Sequence, residues 1–196
     1  PKPQTTMQPR TVTIREPVVP RDLVYGRTRK GGVIVFLHSS GSDNKFLDLV
    51  IVLATHRVKS IGAIYFEGEI ALNAAGVAQG RWAGKVAVEK NLGAASQTAF
   101  AGLKAALPDK WTENHRLRGC AAIRLRLTYD QDAFPGGIPN ITVDVEGKND
   151  IWDPRTQTAV YSENPALCLA DYMANTTWGI GARTGQPDGI DELSLV

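Results

Sequence analysis

The stretch Phe46-Leu47-Asp48-Leu49-Val50-Ile51-Val52-Leu53-Ala54 is dominated by aliphatic and β-branched residues. This composition favours a β-strand at the centre of a sheet. Upstream, residues 33–37 are entirely apolar and predict a second buried strand. The turn sequence Lys30-Gly31-Gly32 separates them from residues 23–29, which have a strand pattern of their own. We therefore predict that these two strands form a hairpin, followed by a polar loop over residues 38–45.

Alternation of apolar and polar residues predicts further strands along the rest of the chain. The longest is at residues 116–129, whose late half has an apolar and a polar face. Its inward residues are Ile123, Leu125 and Leu127, and its outward residues are Arg124, Arg126 and Thr128. The other predicted strands span residues 57–61, 63–66, 85–90, 141–146, 151–155 and 159–161. The last two are predicted to pair as a hairpin.

Two segments change to a helical period. In residues 96–107, Ser96 can cap the start, Pro108 marks the stop, and the apolar face holds Phe100, Leu103 and Leu107. A second helix starts at Asn164-Pro165, ends before Gly179, and has an apolar stripe of Leu167, Leu169, Tyr172 and Met173. The predicted class is α+β and predominantly β, with short antiparallel strands, one inserted amphipathic helix and a C-terminal helix.

Whole-chain composition narrows the classes of partner. The 196 residues are 43% hydrophobic, which is enough for a core, and 22 basic against 20 acidic side chains leave a net charge of only +2. That balance does not favour nucleic acid, which needs a concentrated basic face. No apolar stretch approaches the roughly 20 residues of a membrane span. Cys120 and Cys168 are predicted to be free, buried thiols. A Pro-rich start without an apolar core argues against a signal peptide and, with an end that lacks a stop signal, predicts an excerpt from a longer polypeptide.

One stretch of the sequence resembles part of an enzyme active site. The apolar residues 33–37 run into His38-Ser39-Ser40-Gly41, which resembles the oxyanion loop of α/β-hydrolases. Such a hydrolase also needs a Gly-x-Ser-x-Gly elbow followed by an acid and a histidine, and the sequence has no such elbow. The remaining histidines, His56 and His115, are not beside a nucleophile in sequence. We favour a hydroxyl-rich surface loop and keep hydrolysis centred on His38 and Ser40 as a hypothesis.

Two further motifs have ordinary structural explanations. A group of acidic residues could gather around calcium but lacks the spacing of a calcium loop, so strand and turn positions explain it better: Asp144, Glu146, Asp150 and Asp153. Gly179-Ile180-Gly181, with Gly185, ends a helix instead of joining a strand to one and is therefore not a dinucleotide fingerprint. We predict no catalytic, cofactor-binding or metal-binding residue and no cofactor.

Basic and aromatic residues suggest surfaces for contact. Four arginines form a local basic stripe, interpreted either as a solvated strand face or as a contact for an acidic patch on a neighbouring subunit: Arg116, Arg118, Arg124 and Arg126. Three aromatic residues flank the second helix and serve either as core or as packing for a following domain: Trp152, Trp178 and Tyr172. Three candidates for exposed aromatic residues would suit carbohydrate binding: Trp82, Trp111 and Trp152.

Three strings of residues, in order, resemble the tail tip proteins of long-tailed bacteriophages. The first string, residues 15–32, contains Pro17, Val18, Pro20, Tyr25-Gly26 and Gly31-Gly32. The second, residues 134–155, contains Phe134-Pro135-Gly136-Gly137-Ile138-Pro139-Asn140-Ile141, Glu146-Gly147-Lys148 and Trp152-Asp153-Pro154-Arg155. The third, residues 161–181, contains Tyr161-Ser162-Glu163-Asn164-Pro165 through Tyr172 and ends in Trp178-Gly179-Ile180-Gly181. The family includes the lambda-type tip attachment or host-specificity proteins and their prophage relatives.

The resemblance implies a structural module of the baseplate hub, with β-rich, barrel-like domains that form a homotrimer on the tail axis. It implies the distal tail protein, the tape measure and other tail tip proteins as partners, and the tail tip of the virion as location. It carries over no catalytic residue. The predicted organisation is an extended Pro-rich arm at residues 1–22, a hub domain at 23–160 and the helix-bearing start of a following domain at 161–196. The alternative function is a receptor- or carbohydrate-binding module of the tail tip.

Overall fold

The computed structural model describes residues 19–182 and residue 190. The predominantly β, α+β class is confirmed. The strands are β1 (Arg27–Lys30), β2 (Val33–Ser40), β3 (Phe46–Ala54), β4 (Val58–Phe66), β5 (Glu69–Leu72), β6 (Val86–Leu92), β7 (Ala121–Thr128), β8 (Ile141–Lys148), β9 (Ile151–Asp153) and β10 (Thr158–Val160). The α-helices are α1 (Ala101–Ala106) and α2 (Pro165–Ala174). Most of the Pro-rich arm predicted at residues 1–22 lies outside the described residues.

The strands form two four-stranded antiparallel sheets and a small hairpin. The first sheet has the order β1-β8-β4-β5, and the second has the order β2-β3-β7-β6. The hairpin pairs β9 with β10, as the sequence predicts. The resemblance implies a barrel-like domain, and in the described part of the chain the strands form two separate hydrogen-bonded sheets.

The main core lies between the two sheets. It combines Ile64, Phe66 and Val143 of the first sheet with Leu49 and Ile123 of the second, all fully or almost fully buried. Side chains alternate across a strand, so every second residue of β7 and β8 points into this layer. In β4 a register shift between Ile61 and Ile64 interrupts this alternation. Burying one such side chain contributes about 1.5–3 kcal/mol, so this layer is the main source of stability.

A second apolar layer covers the outer face of the second sheet. Phe100, Leu103 and Trp111, from α1 and its flanking loops, pack on Val50 and Ala122. The second sheet is thus buried on both faces, which explains why β3 has a nearly continuous apolar sequence instead of an alternating one. The deciding stretch at residues 46–54 is confirmed as a central strand, between β2 and β7.

The prediction that residues 23–29 and 33–37 form a hairpin is wrong. β1 pairs with β8 in the first sheet, and β2 pairs with β3 in the second. Gly31-Gly32 therefore transfers the chain between sheets. A Cβ on Gly32 would collide with the backbone oxygen of Val52, so the crossing needs glycine for close approach and not for a hairpin turn. In addition, β2 continues through Ser40, so part of the predicted loop is strand.

Two predicted element boundaries are also corrected. Helix α1 begins at Ala101 with Phe100 in the N-cap position, so Ser96 does not cap it. Strand β7 begins at Ala121, because Leu117 and Gly119 adopt left-handed backbone conformations with φ of 49° and 77° and form a turn. Alternation within residues 116–120 gave no signal of that turn.

Helix α2 begins as predicted. The Asn164 side chain accepts a hydrogen bond from Ala166 N at 2.9 Å, and Pro165 occupies the first turn. The predicted apolar stripe is only partly right, because Leu167 is buried whereas Leu169 and Tyr172 are exposed. The buried face of the helix consists of Leu167 and Ala170.

Candidate functional site

Side chains from all three strings of the resemblance meet where α2 lies beside the end of β8. Tyr25 Oη donates a hydrogen bond to Asp171 Oδ2 at 2.7 Å, and Lys148 Nζ donates to Asp171 Oδ1 at 2.8 Å. Tyr25 belongs to the first string, Lys148 to the second and Asp171 to the third. We call this contact, with the adjoining Val24 and Gly147, the α2 junction. Residues separated by up to 146 positions are thereby joined through one carboxylate.

Backbone contacts bring the first two strings together beneath these side chains. Gly147 N donates to Gly26 O at 2.7 Å, and Lys148 N donates to Val24 O at 2.8 Å. A Cβ on Gly147 would collide with the backbone oxygen of Val24, so only glycine allows this approach. His56 Nε2 accepts the Val24 N–H at 2.8 Å, which assigns the ring proton to Nδ1, where it is donated to Arg57 O at 2.9 Å.

The electrostatics of the α2 junction favour a fixed set of protonation states. Burial, followed by the hydrogen bond to Asp171, raises the pKa of Tyr25 well above its usual value. Burial alone would lower the pKa of Lys148, but the Asp171 and Asp150 carboxylates outweigh it and raise that pKa. Burial lowers the pKa of His56. At neutral pH the junction therefore contains a neutral phenol, a charged ammonium and a neutral imidazole, and its chemistry is suited to holding elements together.

The structure does not bring the hydrolase candidates into a catalytic arrangement. His38 and Ser40 both lie within β2, where Ser40 is paired with Phe46 in the ladder. Among the described residues, no hydrogen bond joins a histidine to Ser40. His56 lies at the α2 junction, and His115 stacks on Trp111 with ring centroids 4.9 Å apart. Three histidines are thus in three separate environments.

Each carboxylate of the acidic group has its own partner. These are the four carboxylates considered for calcium. Asp144 pairs with Arg29 at 3.0 Å, and Glu146 accepts a hydrogen bond from Ser60 at 2.9 Å. Asp150 pairs with Lys148 at 2.9 Å, and Asp153 pairs with Arg155 at 2.7 Å. No group of three or more metal-ligating side chains occurs within the described part of the chain. The strand and turn explanation accounts for their positions.

Two of the three aromatic residues considered for carbohydrate binding are buried. Trp82 packs edge-on against Phe66 with centroids 5.6 Å apart and donates its Nε1–H to Ala133 O at 3.2 Å. Trp111 belongs to the apolar layer under α1. Only Trp152 is exposed, by 48%. The expectation for Trp82 and Trp111 is wrong because the loops that carry them fold over the sheets, which no local pattern of residues signals.

A buried ionic cluster in the second sheet was not foreseen. Arg124 donates through Nε to Asp48 Oδ1 at 2.9 Å, also binds this carboxylate through Nη2, and binds Glu89 through Nη1 at 3.0 Å. The Asp48 side chain is fully buried, and that of Arg124 is 5% exposed. The prediction that Arg124 faces solvent is therefore wrong, because the α1 layer covers this face. We call Asp48, Glu89 and Arg124 the core ionic cluster.

The arginine stripe divides into two parts. Arg124 and Arg126 lie in β7 beside Asp48, so their charges are balanced largely within the sheet. Arg116 and Arg118 instead lie on the turn before β7. The four arginines therefore do not lie on one solvated strand face, because Arg116 and Arg118 are outside the strand.

Both cysteines are free, as predicted, but each is half-buried and not fully buried. Burial raises the pKa of both thiols, Cys120 and Cys168. A raised pKa lowers the thiolate fraction at neutral pH and so lowers reactivity.

Comparisons with known proteins found likenesses among the solved structures. No family model matches the sequence, and no curated protein matches it. Among the solved structures that match is a chain of "Virion of native gene transfer agent (GTA) particle", with 16% sequence identity and a TM-score of 0.49. The match covers 66% of this chain and 27% of that one, so the chain spans about a quarter of the matched protein's length. Likeness at this level is too weak to transfer a fold or a role. Within residues 19–182 and 190, no helix has the length and hydropathy of a membrane span.

Proposed function

We propose that the chain is a structural module of a bacteriophage or prophage tail tip, part of the hub at the distal end of the tail tube. The observation that carries this proposal is the α2 junction, where Tyr25, Lys148 and Asp171 join the three strings that resemble tail tip proteins. These three residues, which are far apart in sequence, together fix the helix-bearing segment to the end of β8.

Other residues of the same strings also build structure. Asp153 accepts hydrogen bonds from the Arg155 backbone and guanidinium at 3.0 and 2.9 Å and thereby shapes the turn between β9 and β10. Phe134 packs on Phe66 with centroids 6.2 Å apart and anchors the loop between β7 and β8. Asn164 caps α2. A shared pattern of turns, caps and close contacts is what a scaffold requires, and it supports assembly over catalysis.

The proposed organisation follows the expected boundaries. We propose residues 23–160, with their two sheets, as the hub domain, residues 1–22 as the arm that precedes it and residues 161–196 as the start of the next domain. In this scheme α2 is the first element of that domain, and the α2 junction sets its angle on the hub. Trp152, Tyr172 and Trp178 lie around α2 and are proposed to pack against the remainder of that domain.

In the proposed assembly the full-length protein is a homotrimer at the tail tip, in contact with the distal tail protein, the tape measure and other tip proteins. β2 is an edge strand of eight residues that is hydrogen-bonded only to β3 within the described chain. Its sequence contains no lysine, glutamate or proline of the kind that blocks edge pairing. Such an edge suits assembly through strand addition.

The test uses the full-length protein and the particles that contain it. Purified particles are expected to retain the protein through density-gradient centrifugation at three copies per tail, as quantified by peptide mass spectrometry, and the purified full-length protein is expected to have a trimeric mass. A strictly monomeric full-length protein, or gradient-purified particles that lack it, would contradict the proposal.

A second candidate function has one favouring observation. A cleft of about 190 Å³ is lined by Tyr129 and Phe134 together with the polar Ser39, Asn44 and Lys45, an arrangement of aromatic wall and polar rim that suits a sugar. Tyr129 is 67% exposed. If this is a receptor site, a host glycan on an array is retained by the parent chain and lost by Tyr129→Ala. The Trp152→Ala variant is the control, because Trp152 is exposed and does not line the cleft. Failure of the parent to retain any glycan excludes this candidate.

A further inference from the structure

The ends of three strands of the second sheet meet at Ala121. This residue begins β7 and is paired with Ala54 at the end of β3 and with Leu92 at the end of β6. A Cβ on Gly93 would lie 2.9 Å from Arg57 Cα and 3.1 Å from Ala121 N. The loops that follow β3 and β6 and the turn that precedes β7 are therefore in direct contact.

Four arginines are carried by the segments that meet here: Arg21, Arg57, Arg116 and Arg118. We call this surface the arginine end. Residues 21–22 join it because Thr55 N donates to Asp22 O at 3.0 Å. Burial raises the pKa of the Cys120 thiol, and the charge of Arg21 opposes that increase. Arg116 and Arg118, with Asn114 and Leu117, line a shallow pocket of about 350 Å³.

None of these four arginines forms a salt bridge within the described part of the chain. Several arginines elsewhere do, among them Arg29, Arg81 and Arg155. Arg21, Arg57 and Arg118 are exposed. Arg116 donates through Nε to the backbone oxygen of Glu113 at 2.7 Å, which orients its guanidinium without neutralising the charge. The arginine end therefore carries a local excess of positive charge, although the net charge of the whole chain is only +2.

The turn that carries two of these arginines is held rigidly. Gln97 Nε2 donates to three backbone oxygens, those of Arg116, Leu117 and Cys120, at 2.9, 2.6 and 3.2 Å. Gln97 Oε1 in turn accepts from Gly93 N at 2.9 Å, which ties the turn to the neighbouring loop. Leu117 has a φ of 49°, a strained conformation for a γ-branched residue that persists only where the surroundings enforce it.

We infer that the arginine end docks an acidic segment of a neighbouring protein. Guanidinium groups bind carboxylates through paired, planar hydrogen bonds, and a preorganised turn lowers the entropic cost of that binding. The inference rests on side chains in the described chain and does not depend on the proposed function. Four arginines at the tip of one sheet make a small surface, in contrast to the extended basic stripe that tracks a phosphate backbone. An acidic peptide is therefore favoured over nucleic acid.

The test measures binding of a fluorescently labelled oligoglutamate peptide by anisotropy at low salt. The parent chain is expected to bind it, and Arg57→Gln/Arg118→Gln is expected to weaken binding about tenfold because two charge-assisted contacts are lost. The matched control, Arg27→Gln/Arg81→Gln, removes the same charge from exposed positions elsewhere and is expected to retain nearly the parental affinity. Thermal melts confirm that each variant is folded.

A third variant separates the shape of the turn from its charge. Leu117→Gly keeps all four arginines but frees the turn, and it is expected to weaken oligoglutamate binding several-fold without a change in net charge. Three results would overturn the inference: no binding of oligoglutamate by the parent, equal losses in the two double variants, or tighter binding of a duplex DNA of matched charge that depends on the same arginines. The last result would assign the surface to nucleic acid.

Discussion

The core ionic cluster and the α2 junction both place a carboxylate between cationic and polar partners, but they differ in surroundings. Asp48 is fully buried and Arg124 nearly so, between the sheet and the layer that contains α1. The Lys148 and Asp171 side chains are 12% and 14% exposed, where the end of β8 meets α2. The core ionic cluster joins elements of one folding unit, whereas the α2 junction joins that unit to the helix-bearing segment.

This difference indicates where the molecule is rigid and where it is adjustable. Removing one member of a fully buried ion pair leaves an uncompensated charge in the core, so the whole fold is affected. At the α2 junction water can reach a freed group, so the loss is smaller and local. The proposed role as a structural module is consistent with a stable body that has a defined attachment.

The largest effect is expected for Asp48→Ala. The variant removes the fully buried partner of Arg124 and leaves the guanidinium with the partly exposed Glu89. It is expected to lower the free energy of unfolding by about 3–5 kcal/mol, as measured by urea denaturation. Adding Arg124→Met on the same background is expected to restore part of the loss, because an apolar side chain replaces the incompletely compensated buried charge. If the double variant is no more stable than Asp48→Ala, the buried charge is not the cause.

A smaller and local effect is expected for Lys148→Met. It removes the ammonium that binds Asp171 and is expected to cost about 1.5–3 kcal/mol, the range for a hydrogen bond to a charged group. Hydrogen exchange is expected to accelerate at the amides of α2 and to remain unchanged in β3 and β7. Equal acceleration in all three elements would show that the α2 junction is part of the core and would remove the contrast with the core ionic cluster.

Tyr25→Phe is expected to have a still smaller effect at the same site. The variant keeps the ring and deletes one hydrogen bond to Asp171, with an expected cost of about 1.5 kcal/mol, the low end of the range for a hydrogen bond to a charged group. A double-mutant cycle with Asp171→Asn measures the coupling between the two side chains. Zero coupling energy would mean that the hydroxyl and the carboxylate do not interact in solution.

The smallest effect concerns pH and His56. Burial lowers the pKa of His56 below its ordinary value of 6.5, so the unfolded chain takes up the proton first as the pH falls. The stability contributed by the neutral imidazole is fully present above 6.5 and is lost as the pH falls through the lower, folded-state pKa. His56→Gln offers an acceptor to Val24 and a donor to Arg57 without titrating, so its unfolding free energy is expected to vary less between neutral and mildly acidic pH. An identical pH profile for both proteins would exclude His56 as the titrating group.

Local patterns predicted most of the elements. Alternation located β6, β8 and the hairpin of β9 with β10, and Asn164-Pro165 located the start of α2 because capping is decided within a few residues. Patterns failed where distant parts of the chain decide the outcome. Gly31-Gly32 has the composition of a hairpin turn, but in the structure the chain crosses between the sheets there. The close approach of Gly32 to Val52, which is distant in sequence, is not visible in the local pattern.

The candidate sites were less predictable for the same reason. Asp48 stands alone in an apolar strand, and a lone carboxylate there is a signal of a buried pair, but its partner Arg124 is 76 positions away. The resemblance singled out the strings that contain Tyr25, Lys148 and Asp171, yet nothing in the strings themselves showed that these three side chains touch. The arginine end depends on a fold that brings residues 21, 57 and 118 to one end of a sheet.

The most direct test of the proposed role is immunogold electron microscopy of intact particles with an antibody against this chain. The account predicts gold at a single end of the tail, distal to the capsid, in intact particles, and no labelling of particles from a strain that lacks the gene. Labelling of the capsid, labelling along the whole tail, or no labelling of particles that contain the protein by mass spectrometry and expose the tail end would contradict it.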